Sequence, residues 1–359
     1  MDSSVLFKSS DGVVVVVDIP RSLEEAQVLP GKAITRRIVS CHPRETPWQV
    51  PEPKKQHIAK SAPPSAAIAE LMTLESAKAA LEQARANYGG PWCLPRVTRN
   101  QAADESGPIP TGATVTQSQK RRHELSSPVS EGEDEEAVTT SPFIPEQSHP
   151  LLGTINSKRG VFLQSAPQFD IIVLDPPWPS RSVKRKSDRY ATVRNTEEAR
   201  KLLSRIPVAS HLKRDGLVAI WVTNKAAITE LLTAPGGILA EWGVEPVGQW
   251  IWLKVTNAGE PILGIDSLWR KPWERLLIAR KIGSNILLPT STKVILGVPD
   301  IHSRKPSLRG FFQDILPEDY MGLEVFARNL TAGWWSWGNE ALFFQQEHHW
   351  ISSNDERAA

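Results

Sequence analysis

The tetrapeptide Asp175-Pro176-Pro177-Trp178 sets a carboxylate, two residues without amide protons and an indole side by side. That combination suits a planar amine. The exocyclic nitrogen of adenine is a poor nucleophile because its lone pair is delocalised into the ring. Hydrogen bonds from its two protons to the Asp175 carboxylate and the Pro176 carbonyl would favour a more tetrahedral nitrogen, with Trp178 stacked on the base. Attack on an electrophilic methyl group then needs positioning more than acid-base help. The paired prolines fix φ and remove two donors, which predicts a rigid platform whose carbonyls no local N–H engages. A plain structural turn around a buried tryptophan is the competing reading.

The preceding residues favour a site. Ile171 to Leu174 is a β-branched, apolar run without polar alternation, as in a strand buried on both faces of a parallel sheet. Asp175 then stands at the carboxyl edge, where open α/β sheets bind their ligands. Directly after the turn come Arg181, Lys184, Arg185, Lys186, Arg189 and Arg194, opposed only by Asp188, a basic loop fit for phosphate contacts. Further strands are expected at Leu217–Val222, Gln249–Val255, Arg275–Ala279 and Leu323–Phe326. Helices are expected at Thr196–Ile206, with Thr196 as cap and Glu197-Glu198 in the first turn, and at Ser307–Leu316 after Pro306. This alternation predicts an α/β domain with a mostly parallel sheet over residues 150–347. No Gly-x-Gly-x-x-Gly loop is present to claim a dinucleotide.

Outside that domain the chain divides by composition. Residues 1–100 hold the apolar burst Val13–Ile19 and an alanine-rich helix, Ser65–Asn87, whose stripe Ile68, Leu71, Leu74, Ala77, Leu81 and Ala84 would pack on the catalytic part. Residues 101–149 read as a disordered or low-complexity insert, carrying Lys120-Arg121-Arg122 and the acidic run Glu131–Glu136. Residues 348–359 read as a polar tail. The net charge of +2 predicts no partner by itself. Only Cys41 and Cys93 occur, without metal-ligand spacing, so free thiols in a reducing compartment and no metal site are expected. No apolar run is long enough to span a bilayer.

Around the tetrapeptide the sequence resembles the eukaryotic DPPW-type adenine N6-methyltransferases, the family of the messenger-RNA m6A writer, and is most similar to its methyltransferase-like-four branch. The segments that carry the likeness are Asp175–Val193 (DPPWPSRSVKRKSDRYATV), Trp221–Asn224 (WVTN), Trp252–Glu260 (WLKVTNAGE), His302–Pro306 (HSRKP) and Phe326–Glu340 (FARNLTAGWWSWGNE). The resemblance implies a permuted Rossmann-like fold, with the catalytic turn preceding the main cofactor segments, and S-adenosylmethionine as methyl donor. It makes Asp175, Pro176, Pro177 and Trp178 the catalytic turn and Lys305 a donor contact suited to the methionine carboxylate. Arg328, Asn339 and Glu340 would bond the ribose hydroxyls, and Tyr190 would close over the target adenosine. Gln164 and Ser165 stand where the family usually places an acidic donor contact. The branch implies a monomer acting on RNA, at an internal 2'-O-methyladenosine of U2 spliceosomal RNA, and Lys120-Arg121-Arg122 is a candidate nuclear localisation signal, with a plain solvated cluster as the alternative, so the nucleus is the expected compartment. DNA is the alternative polymer, and a non-catalytic RNA-binding paralogue the alternative class. Most of the thirteen tryptophans, Trp250 and Trp252 among them, read as core, while Trp334, Trp335 and Trp337 lie beside the ribose turn.

Overall fold

The computed structural model describes residues 3–50, 64–98, 141–179, 193–267, 270–289 and 291–352. In chain order these form β1 (Val5–Lys8), β2 (Val14–Val17), α1 (Ile19–Ala26), β3 (Arg36–Ile38), α2 (Pro64–Asn87), β4 (His149–Leu152), α3 (Ile155–Ser165) and β5 (Phe169–Leu174). There follow α4 (Thr196–Leu203), α5 (Val208–His211), β6 (Leu212–Val222), α6 (Ala226–Thr233), α7 (Ile238–Glu241), β7 (Val244–Lys254) and β8 (Trp273–Lys281). The last strands are β9 (Val294–Gly297), β10 (Gly322–Val325), β11 (Trp335–Gly338) and β12 (Trp350–Ser352).

Ten strands make one sheet in the order β1-β2-β9-β7-β8-β6-β5-β10-β11-β4. β5 pairs in parallel with β6 and β10, and β11 with β10 and β4. β7, β9 and β2 are also mutually parallel, whereas β8 is antiparallel to both β6 and β7. The sheet is thus mostly parallel, a Rossmann-like α/β arrangement. Every residue of β5 is buried, so the apolar run sits at the centre of the sheet as its composition requires. One face packs Phe162, Leu203, Ile228, Leu232 and Trp337 against β5 and β6. The opposite face packs Ile19, Leu23, Trp221, Trp250, Phe312 and Trp334.

Several local expectations shift. The valine burst becomes β2, fully buried beside β9, so the first residues extend the main sheet rather than standing apart from it. In α2 the buried side chains are Thr73, Ala77, Ala80, Leu81 and Ala84. Three small alanines let the helix approach β2 and β9 closely. The stripe stops short, because Ile68 and Leu71 remain 59% and 58% exposed. Asn195, not Thr196, caps α4: its Oδ1 accepts from the Glu198 amide at 2.9 Å, leaving Thr196 as the first helical residue. Ser307–Leu316 holds only a short 3-10 turn, Arg309–Phe311. There the Arg309 guanidinium bonds the carbonyls of Val28 and Glu25, and its own carbonyl accepts from the Tyr320 hydroxyl, which ties the segment to α1 instead of to itself. The expected polar tail begins with β12, paired antiparallel with β3 and anchored by the buried Trp350. The Trp350 indole donates to the Phe344 carbonyl at 2.7 Å. Among the described residues no helix is long and apolar enough to cross a membrane.

Candidate active site

At the carboxyl edge of the sheet, the strand ends enclose a cavity of about 450 Å³. β5 delivers Asp175 to Trp178, β6 delivers Thr223 and Asn224, β10 leads into Phe326, Ala327 and Arg328, and β11 leads into Asn339 and Glu340. β8 runs the other way, so its first residues, Trp273 and Glu274, arrive at the same edge. The loop after β9 supplies Ser303 and Lys305. Ser303 and Phe326 both adopt positive φ, 75° and 64°, a costly conformation for side chains with a Cβ. Backbone held in that region is over-determined by its surroundings, and here it turns two loops into the cavity.

The polar groups form one chain of alternating charge. Lys305 Nζ lies 2.9 Å from Asp175 Oδ2 and 3.2 Å from Glu274 Oε2. Glu274 Oε1 in turn accepts from Lys254 Nζ at 2.5 Å. Burial opposes charge on Lys305, but Asp175 and Glu274 outweigh it and hold the ammonium above the ordinary lysine range. Burial likewise opposes charge on Glu274, and Lys305 with Lys254 bring its carboxyl down to about 2. Behind them, burial and the neighbouring Asp175 push Glu324 up to about 8, with Lys305 acting the other way. At the rim Lys271 pairs with Glu70 of α2 at 2.6 Å.

Asp175, Lys305, Arg328, Asn339 and Glu340 therefore line one cavity together with the two prolines and Trp178. Tyr190, Arg181, Lys184, Arg185, Lys186 and Arg189 lie outside the described residues. The turn differs in two details from its expected form. The Trp178 amide donates to the Pro176 carbonyl at 2.8 Å, so that oxygen is already engaged from within the turn. Its second lone pair is what a ligand could use. The Trp178 indole donates to the Trp221 carbonyl at 2.7 Å and the residue is 9% exposed, which makes the ring a fixed wall joining β5 to β6 rather than a free-standing platform. Arg328 and Glu340 are paired with each other, Nε to Oε2 at 3.1 Å. Gln164 and Ser165 are exposed at the end of α3, away from the cavity lining. The segment that runs beside the Gly338 turn is Leu152-Gly153, where the Gly153 amide donates to the Gly338 carbonyl at 3.0 Å. Trp334 and Trp337 belong to the core, and Trp335 stacks on His149 with centroids 5.0 Å apart.

Glu274, Lys254 and Lys271 escape a reading of the sequence because they sit inside strand-like or loop-like stretches. The signal that finds Glu274 and Lys271 is strand direction, since the antiparallel β8 brings its beginning, not its end, to the carboxyl edge of its neighbours, whereas Lys254 arrives there as the last residue of β7. Cys41 and Cys93 are free thiols, and no cluster of metal-ligating side chains occurs among the described residues.

A family model described as MT-A70 matches residues 169–340, from the start of β5 to the Asn339-Glu340 turn. The N6-methyladenosine RNA methyltransferase MTA1 of Pyricularia oryzae is 45% identical over 380 residues, covering 100% of this chain and 99% of that protein. The protein of the same name from Cryphonectria parasitica is 44% identical, covering 98% of this chain and 95% of its own. The N(6)-adenine-specific methyltransferase METTL4 of Homo sapiens is 35% identical over 58% of this chain and 45% of its own length. With relatives of such identity aligned nearly end to end, the chain belongs to the MT-A70 family and is an S-adenosylmethionine-dependent adenine N6-methyltransferase.

Proposed function

We propose that this cavity methylates the N6 position of adenosine in RNA, with an internal 2'-O-methyladenosine of U2 spliceosomal RNA as its target. The observation that carries the reading is the Asp175 carboxylate, fixed at a strand end by Lys305 inside a cavity whose far side presents Asn339 and Glu340. The set fits the donor's chemistry. An ammonium at the cavity wall suits the methionine end of the donor, with Lys305 taking its carboxylate. Asn339 and Glu340 offer acceptors for ribose hydroxyls. Bound S-adenosylmethionine supplies a methyl group on a positively charged sulfur, open to attack by a nitrogen lone pair.

The protein's own part is to hold and desolvate the amine. Asp175 and the remaining lone pair of the Pro176 carbonyl accept hydrogen bonds from the two N–H groups of the adenine amine, and Trp178 bounds the plane of the base. RNA as the polymer is supported by the two relatives aligned nearly end to end, both named as RNA methyltransferases, and the 2'-O-methylated target by the resemblance to the methyltransferase-like-four branch. Tyr190 would close over the base, and the basic residues Arg181 to Arg189 would take the phosphates. Because the base must leave its stack, single-stranded or bulged RNA is the expected substrate, met by a monomer in the nucleus. DNA is the second reading, favoured by the DNA N6-methyl methyltransferase of Caenorhabditis elegans, 38% identical over 50% of this chain.

Transfer of labelled methyl from S-adenosylmethionine to RNA with adenosine, RNA with 2'-O-methyladenosine and single-stranded DNA tests the proposal. Label that favours 2'-O-methyladenosine and disappears in Asp175→Ala is the expected outcome. Label on DNA alone, or undiminished in Asp175→Ala, refutes it.

A further inference from the structure

Lys305 is held in front by Asp175 and Glu274, which leaves open what holds it from behind. The neighbouring residue, Arg304, is only 3% exposed. Its Nη1 donates to Asp300 Oδ2 and to the Val39 carbonyl, both at 2.7 Å, and its guanidinium lies 4.6 Å above the Phe344 ring. Nη2 faces His349 Nδ1 at 3.3 Å. The Asp300 side chain, fully buried, also accepts from Ser40 Oγ at 3.2 Å and from the Cys41 amide at 3.0 Å. Arg96 adds a second buried cation, 3.7 Å from Asp300, and donates to the carbonyls of Val298 and Pro299 at 2.9 Å each.

Two arginines and one aspartate are thus buried together, with a net positive charge. Packing does not require them. Buried ions cost several kcal/mol each in desolvation, and apolar groups of similar volume often serve stability as well or better. What the node does achieve is geometric. It fixes the loop from Val298 to Arg304 at both ends, and the strained Ser303 lies inside that span. The partners come from residues 39–41, from Arg96 and from residues 344–349, so the loop that carries Lys305 is set by both ends of the chain.

We infer that Arg304 is a positioning residue for Lys305, and that the first hundred residues take part in methyl transfer by holding the Arg304–Asp300 pair in place. The inference rests on reading the cavity as the methyl-transfer site. Among the described residues Glu274 pairs with two cations, Lys305 and Lys254, and Lys305 also holds Asp175. If Lys305 drifts, Glu274 keeps its burial and loses half its compensation, so its carboxyl titrates nearer neutrality.

The test compares Arg304→Met, Arg304→Lys and Ser40→Ala with the wild type. It measures S-adenosylmethionine binding by calorimetry, kcat/KM as a function of pH, and melting temperature. A misplacement of about 1 Å is worth on the order of 100-fold in rate, so Arg304→Met should fall by about that factor in kcat/KM for the donor. Its acid limb should move toward neutral pH. Arg304→Lys should recover part of both, and Ser40→Ala should show a smaller change in the same direction. A lowered melting temperature with unchanged donor affinity and an unmoved acid limb in the folded protein would overturn the inference. Should Arg304→Met fail to fold, unchanged kinetics in both Arg304→Lys and Ser40→Ala would do the same. Wild-type protein that binds no donor would instead sink the reading of the cavity itself.

Discussion

Replacing Lys305 with Met removes the ammonium that stands between Asp175 and Glu274 and leaves both carboxylates facing an apolar side chain. Glu274 is the better gauge, since two lysines bring it from 4.5 to about 2. At about 1.4 kcal/mol per pH unit, that depression is worth roughly 3 kcal/mol of stability above the unfolded value. The side chain keeps 30% of its surface open to water, which screens part of the effect and leaves about 2 kcal/mol. Because the folded value is depressed, this contribution is present above 4.5 and fades as pH falls toward 2. Lys305 itself is raised above its ordinary value of 10.5, so its own titration leaves the acid range flat. Urea unfolding of Lys305→Met and wild type at pH 7.5, 6, 5 and 4 should therefore show a deficit of about 1 kcal/mol at the first pH, since Lys254 keeps the other half of the compensation. The deficit should narrow as the stranded carboxylate regains its proton, by up to about 1.4 kcal/mol per unit. A deficit that stays constant from pH 7.5 to 4 would show that Lys305 stabilises by packing, and the alternating chain of charge would lose its meaning.

Glu324, raised to about 8, holds a proton in the folded state that the unfolded chain has released above about 4.5, so it lowers stability as pH rises between those values. Glu324→Gln should melt higher than wild type at pH 8.5, by the equivalent of about 2 kcal/mol after screening, and alike at pH 4.5. A gain equal at both pH values would contradict this. A Cβ on Gly338 would meet the Ala327 carbonyl oxygen at 2.8 Å and its amide nitrogen at 3.0 Å, both backbone atoms that cannot swing aside. Gly338→Ala should cost about 1–3 kcal/mol by thermal unfolding and weaken donor binding, and a neutral result would show that the Asn339-Glu340 turn is free to move. In α2, Ala77→Leu should cost a similar amount because the site is fully buried, whereas Ile68→Ser should stay within about 0.5 kcal/mol; the reverse order would mean that the exposed half of the helix is packed.

The strand that bears Asp175 is legible because burial on both faces leaves only one composition open to it, and Asp175 stands out as the first residue after that run. Lys305, Asn339 and Glu340 enter through motif likeness, which carries their position in the chain but not their partners. Glu274 is invisible for a different reason: its place in the cavity depends on β8 running antiparallel, and strand direction is settled by pairing with β6 and β7, not by anything in WERLLIA. Ser307–Leu316 fails as a helix because tertiary hydrogen bonds from Arg309 and Tyr320 outbid the local pattern. The overlong stripe assigned to α2 has a similar cause, since periodicity marks a face without marking where the neighbouring sheet ends.

The placement of β2 beside β9 also bears on how the chain is made. Val14–Val17 is synthesised long before the strand it must join, which starts at Val294, and the nearby Lys8–Asp314 contact spans 306 positions. Until then a run of consecutive valines, free of charge and proline, pairs only with the four-residue β1, and its other edge has no native partner. Such a segment is prone to pair with other copies of itself, and contacts this distant form late. The nascent protein therefore carries an apolar strand with one edge open until β9 is made, and its yield should depend on chaperone supply and temperature more than the stability of the finished sheet suggests.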